Sequence, residues 1–550
     1  MNCTIRRPRP YWLAKSVAWA LLVPAVAAAQ GAAPTPPPAT PPAAEPTPPA
    51  NGEPASPVPA APSPATSAAP AQPPPGALAP LPEATPTAPP PSISTVPAGP
   101  TPPEAPAEPA VPFAFADFGW MNGQSRQTEF PLAGKYIQPS FTIDAGYNYE
   151  FNHPRDHSIV GSTAAGRSNE FQIMHLGVGA DFGYKNVRGR LMTQLGLYST
   201  MTPRNDGSPA RGQWNLSDAY KYITEGYGGY HFDVWNGINV DAGIFLSYVG
   251  LDSYYNYENW QDQASYVSSN TPWFFNGIRI QTFPSDKLKI EYWIINGWQS
   301  YGMFNEMPGL GIQSYWRPNG NVGIVLSGYG GEDTMGVKSR VRLHTDDSLL
   351  IKYFDEPTGG LSKMAFSLTV DAGCETGGAK YGAGVSCGGG DNPSAKTLAS
   401  GGGSPDQYFL GFMLYDRMWF DSNHFAFTFG GGAMTNPGRY LVLTPPINGA
   451  TAFTGSPFFT QSRGDKYKAW DTTETFDWMP NDFLTFRSEY VHRQASVPYF
   501  AGPGGVTPET APGSGVFVNS GSPGSDPGMG FSPDLRKYEN RITFNLLVRL

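Results

Sequence analysis

From Tyr538 to the terminal Leu550 the side chains alternate. Tyr538, Ile542, Phe544, Leu546, Val548 and Leu550 fall on one face, with Glu539, Arg541, Thr543, Asn545 and Arg549 on the other. A chain that ends on so long an apolar row suits the closing strand of a membrane barrel, greasy toward lipid and polar toward a lumen, better than the edge of a soluble sheet. The rest of the chain is read against that constraint.

Aromatic residues make up 13% of the chain and charged residues 15%, yet the mean hydropathy is −0.32. After the N-terminal region no segment is apolar enough to cross a bilayer as a helix. Period-two strands resolve the conflict, because half of each strand can face lipid while the average stays polar. Phe141, Ile143, Ala145, Tyr147, Tyr149 and Phe151 oppose Ser140, Thr142, Asp144, Asn148 and Glu150. Leu176, Val178, Ala180, Phe182 and Tyr184 turn at Lys185-Asn186 into Val187, Leu191, Leu195 and Leu197. Further short turns are expected at Asn236-Gly237, Pro284 to Asp286, Arg317 to Gly320, Pro357 to Gly360, Asp421 to Asn423 and Met479 to Asp482.

Long polar or Gly-rich stretches lie near 152–169, 199–217, 247–271, 299–308, 330–346, 374–405, 433–465 and 494–535, so short and long connections alternate. The fold class expected is all-β: an up-and-down antiparallel transmembrane β-barrel of about sixteen strands, with both chain ends on the short-turn side. Parity places Arg340, Arg342 and His344 in an external loop and starts the next strand near Ser348.

The N-terminus carries Arg6, Arg7, Arg9 and Lys15, an apolar run from Val17 to Val26, and Ala27-Ala28-Ala29. Residues 1–29 read as a secretory signal peptide cleaved after Ala29, which removes Cys3. Residues 30–112, rich in Pro and Ala, are expected to be a disordered linker reaching on the order of 200 Å when extended. The barrel is assigned to 113–550, with the placement of Phe113 to Leu132 left open between the barrel mouth and the space below it.

Polar residues opposite the apolar rows must face a lumen. The pore-lining candidates are Arg188, Arg190, Asp241, Arg279, Lys289, Glu291, Lys352, Arg487, Glu489 and Arg493, joined by Asp144, Asp181, Asp371 and Arg541. Both signs are present, so the expected lumen is wet and filters small polar solutes by size and charge. Asp252, Glu258, Asp262, Glu332 and Asp333 read as a solvated outer loop face. Cys374 and Cys387, in one loop, suit a local disulfide. A net charge of −9 disfavours nucleic acid as a partner. No nucleophile motif, cofactor motif or metal-ligand spacing stands out, and an enzyme is not expected.

The run from Gly237 to Leu251, with Tyr254, Tyr255, Asn259 and Trp260, then Pro272 to Gly277, Ile295 to Trp298, Arg340 to Asp346 and Pro498 to Gly505, resembles the OmpL-like "putative beta-barrel porin" family of Gram-negative bacteria. The resemblance implies an outer-membrane porin-like channel; the terminal Leu550 departs from the aromatic residue on which such barrels usually end. The expected function is passive diffusion of small hydrophilic solutes. Two alternatives are a tethering protein whose loops close its barrel, and a specific transporter using Tyr254, Tyr255, Tyr257 and Trp260 as a capture surface. Expected partners are outer-membrane lipid, lipopolysaccharide, the barrel insertion machinery and the solutes. The linker is expected in the periplasm, and association into a homo-oligomer stays open.

Overall fold

In the computed structural model the alternating segments pair into one closed antiparallel barrel of sixteen strands. The structure describes residues 112–162, 164–208, 212–378, 380, 385–387, 407–437, 440, 467–506 and 534–550. The expected signal peptide and nearly all of the linker lie outside them. The barrel strands are β1 (Ile137–Glu150), β2 (Phe171–Tyr184), β3 (Val187–Thr193), β4 (Ile223–Phe232), β5 (Ile238–Leu246), β6 (Phe274–Ser285), β7 (Leu288–Ile295) and β8 (Gly309–Asn319). They continue with β9 (Val322–Gly331), β10 (Arg340–Asp355), β11 (Leu361–Gly377), β12 (Tyr408–Phe420), β13 (Phe425–Asn436), β14 (Tyr467–Asn481) and β15 (Leu484–Ala495). A separate ribbon, β16 (Phe500–Ala501) and β17 (Leu535–Arg536), precedes the last barrel strand, β18 (Tyr538–Arg549).

β18 closes the cylinder by pairing with β15 on one side and β1 on the other, where Thr142 stands opposite Arg549 and Glu150 opposite Arg541. Closure leaves no barrel edge unpaired, which a hydrocarbon environment requires. The two faces sort as the alternation demands: Phe544 is 56% exposed on the outside, and its neighbour Thr543 is 2% exposed on the inside. Short turns gather at one end, together with both ends of the described chain, and long loops at the other.

Three hairpins differ from the sequence reading in the same way. Assigning Pro284, Pro318 and Pro480 to turns ends their strands too early, because β6, β8 and β14 run on to Ser285, Asn319 and Asn481. In each case the register shifts across the proline, between Thr282 and Ser285, Trp316 and Asn319, and Trp478 and Asn481. A proline has no N–H for the ladder, and a bulge removes the demand for one.

The placement of Arg340, Arg342 and His344 in a loop is also corrected. β10 begins at Arg340 and pairs through the whole segment with β11, His344 opposite Gly373 and Asp346 opposite Asp371. Thr345-Asp346-Asp347 is mid-strand, since Val341 and Leu343 keep the outward row going while Arg340, Arg342, His344 and Asp346 point in. Cys374 lies near the end of β11 rather than in the loop, and it is bonded to Cys387.

Candidate functional site

The lumen is shaped by the loop between β5 and β6. Residues 247–273 turn inward rather than outward, with a neck closed by the Ser247 N–H donating to the Trp273 carbonyl at 3.1 Å. Tyr248 then stacks on Trp293 with centroids 4.9 Å apart, and its hydroxyl donates to the Gly328 carbonyl at 3.1 Å. The wall leaves room for it at Gly311, where a Cβ would lie 1.8 Å from the Tyr248 hydroxyl oxygen.

From there the loop crosses to the far wall, where charged side chains take its backbone. Arg487 donates to the carbonyls of Asn256 and Asn259, at 3.1 and 2.8 Å. The Glu489 carboxylate accepts the Asp262 and Gln263 N–H groups at 2.6 and 2.7 Å. Arg417 donates to the Trp260 carbonyl and Arg493 to that of Ala264, at 2.8 and 3.1 Å. Asp471 accepts from the Ser265 hydroxyl at 2.9 Å, and Asp144 from the Asn256 amide at 2.8 Å. Asp477 in turn holds both Arg417 and Arg487, each at 2.7 Å. Wall charges thus satisfy loop amides that would otherwise be buried without partners, a cost of about 1–3 kcal/mol apiece.

Of the stretch from Phe113 to Leu132, whose placement the sequence left open, Phe113 to Gln127 enters the opposite mouth and residues 128–132 are exposed. The Phe113 N–H donates to the Asp286 carbonyl at 2.7 Å, the Trp120 indole to Gly320 at 3.0 Å, and Arg126 to Leu484 and Thr485 at 3.0 and 2.8 Å. It meets the inserted loop directly. Asn122 donates to Asp252 and accepts from the Trp260 N–H, both at 2.8 Å. At Gly123 φ is +74°, and a Cβ would sit 2.2 Å from the Leu251 carbonyl oxygen, so only glycine allows this approach.

All ten pore-lining candidates point inward, but to three different surroundings. Arg487, Glu489 and Arg493 are covered by the loop, with Arg493 fully buried. Arg190 pairs with Asp181 and Glu225 at 2.6 and 2.7 Å. Arg279 binds Asp241 at 2.8 Å while lying over the Phe245 ring, and Lys352 pairs with Asp355 below Trp120. Arg188 and Lys289, backed by Asp241 at 3.3 Å and Glu291 at 2.7 Å, line a cavity of about 670 Å³ beside the loop.

That cavity lies along β3 to β9 and is roofed by the first part of the loop, Leu246 to Tyr254, and by Trp273. Asp252 on the roof is half-buried, and its partial removal from water raises its carboxyl above the usual carboxylate range against the hydrogen bonds from Asn122 and Gln261. Asp262 and Asp333 are buried and Asp252 is half-buried, so these three are packed within the protein rather than on a solvated loop face. The capture-surface reading is corrected likewise: Tyr254, Tyr255 and Trp260 are each under 10% exposed, and Tyr255 stacks on Tyr257. Arg317 also lines the cavity and was legible in principle, since it continues the inward parity of Gln313 and Tyr315. Ending β8 at a turn hides it, and Arg417, Asp471, Asp477, Glu225, Glu375 and Glu539 are among the other inward charges outside the candidate set.

The sequence matches the model of the family described as "Putative beta-barrel porin-2, OmpL-like" over residues 137–512. No curated protein is matched. Among solved structures, the outer membrane channel DcaP of Acinetobacter baumannii is similar at 8% identity and a TM-score of 0.40, over 75% of this chain and 97% of that one. The trimer form of OmpT of Vibrio cholerae is similar at 8% identity and a TM-score of 0.38, over 75% and 99%. OprD of Pseudomonas aeruginosa is similar at 11% identity and a TM-score of 0.36, over 78% and 97%. With its family model covering more than half of its length, the chain belongs to the OmpL-like β-barrel porin family and is a porin-like channel of the outer membrane.

Proposed function

We propose that the barrel passes small hydrophilic solutes by passive diffusion along the β3 to β9 side of its lumen. One observation carries this reading: the inserted loop is strapped to the opposite wall, and the space left beside it, about 670 Å³, is of the size that holds a small molecule. The lining mixes Arg188, Lys289 and Arg317 with amides and aromatic rings, a surface that suits hydrated polar solutes. In this reading the short turns and the arm of residues 30–112 face the periplasm, and the long loops face outward. The outward rows meet lipid and lipopolysaccharide after delivery by the insertion machinery, and whether barrels associate is a matter for measurement of size in detergent. Liposome swelling with sugars of increasing size tests the proposal. Swelling with a monosaccharide that fades for a trisaccharide is expected, and exclusion of every sugar together with absent conductance in planar bilayers contradicts it.

A second reading has its own support. Phe113 to Gln127 is tied to turns on both sides of the mouth and to the loop, an arrangement that also suits a closed barrel carrying a periplasmic tether. Deleting residues 30–111 separates the two: lost cell-wall association with unchanged permeability favours the tether.

A further inference from the structure

Most inward-facing arginines named above sit against a carboxylate; Arg317 does not. It is 7% exposed, and its guanidinium lies over the rings of Phe118, Phe113 and Tyr315 at 4.2, 4.7 and 4.7 Å. Its hydrogen bonds go to neutral groups, the Gln124 side-chain carbonyl at 3.0 Å and the Tyr315 hydroxyl at 3.2 Å, and its Nε finds no acceptor. Among the described residues it forms no ion pair. A buried charge without a counter-charge is costly, and arginine is built to take a planar oxyanion through two parallel N–H groups.

The neighbouring cations point the same way. The Arg188 side chain is 32% exposed and its partner Asp241 0%; the Lys289 side chain is 22% exposed and Glu291 4%. In each pair the carboxylate is buried beside the cation while the cation reaches the cavity. Asp241 and Glu291 do not line it, and Asp252, the one carboxylate among the lining residues, is held by two amides on the roof. Leu246, Leu251, Phe283, Val325 and Phe113 complete the lining with apolar surface.

We infer that this cavity binds a small organic carboxylate, its charge held by Arg317 with Lys289 and Arg188 and its apolar body against the aromatic and aliphatic lining. For a role in transport the inference rests on the channel reading, but binding itself can be measured without it. Calorimetry of the detergent-solubilised full mature chain, titrated with benzoate and with its neutral counterpart benzamide, tests it.

Saturable benzoate binding with none for benzamide is expected. Arg317→Gln should weaken benzoate by about tenfold or more, as loss of a charge-assisted contact does. Lys289→Gln, which leaves the packed rings around Arg317 in place, should weaken it severalfold, so the inference does not depend on one variant folding. Equal binding of benzamide, or benzoate affinity unchanged in both variants, overturns it. In bilayers under a KCl gradient the same site should favour chloride, and benzoate should reduce the current. Benzoate binding without any current supports the site and contradicts the channel reading, whereas a potassium-preferring current without benzoate binding does the reverse.

Discussion

Glu489 shows how much a single lumen side chain can hold. Its carboxylate accepts from two consecutive loop amides, Asp262 and Gln263, and from the Thr475 hydroxyl at 2.8 Å. Glu489→Ala leaves both amides buried without an acceptor, at about 1–3 kcal/mol each, while Glu489→Gln keeps one acceptor oxygen and loses less. The expected outcome is a barrel that still folds but whose loop fluctuates, read as larger open-channel current noise in the alanine variant than in the glutamine variant. Indistinguishable noise in wild type and Glu489→Ala contradicts the strap. On the outer surface the rule is different. Phe544, near the middle of β18, faces lipid, and Phe544→Arg should cost about 2–4 kcal/mol in a urea titration of the barrel folded into bilayers. A cost near zero would mean that this row does not meet hydrocarbon.

At the scale of elements, the strands were legible and the inserted loop was not, for a physical reason. A strand half in lipid and half in a lumen must alternate, so β1, β2 and β18 could be read from side chains alone. Parity also gave the count, and it survived the misplacement of Arg340 to His344 because extending β10 upward adds no turn. Loops carry no such period. Glu258 and Asp262 look like a solvated surface in the sequence, and only the wall groups Arg549, Glu489 and Asn545, far away in the chain, show that they are partnered inside. A hint was present: the density of aromatic residues from Tyr254 to Tyr266 exceeds what a solvated loop needs. Replacing residues 252–270 by a short Gly-Ser linker should leave the barrel strands intact by circular dichroism and raise single-channel conductance. At the other end of the same scale, Cys387→Ser opens a link spanning 13 residues. The bond constrains the unfolded chain by about 3 kcal/mol for a loop of this size, so the variant should be cleaved faster by added protease in the segment after β11 while the barrel core persists.

For the whole molecule, the barrel and its filling are separable in the way they are built. The cylinder closes by backbone pairing of β1 with β18, and that seam begins at Thr142, well after the inserted N-terminal segment. The filling is a chain of contacts across the lumen: turn carbonyls hold Trp120 and Arg126, the Trp120 carbonyl accepts the Trp260 indole at 3.0 Å, and the Trp260 carbonyl is held by Arg417. Removing the first link should therefore release the second without opening the cylinder. A chain beginning at Gln127 keeps every barrel strand and loses Phe118, Trp120, Met121 and Asn122 from the packed interior. It should insert normally and conduct more than the full chain. Its Trp260, deprived of the Trp120 carbonyl and the Asn122 amide, should show red-shifted fluorescence relative to a control carrying the segment. Unchanged conductance with a shifted Trp260 would locate the narrow point in the strapped loop alone; unchanged values of both would mean that the segment does not occupy the mouth.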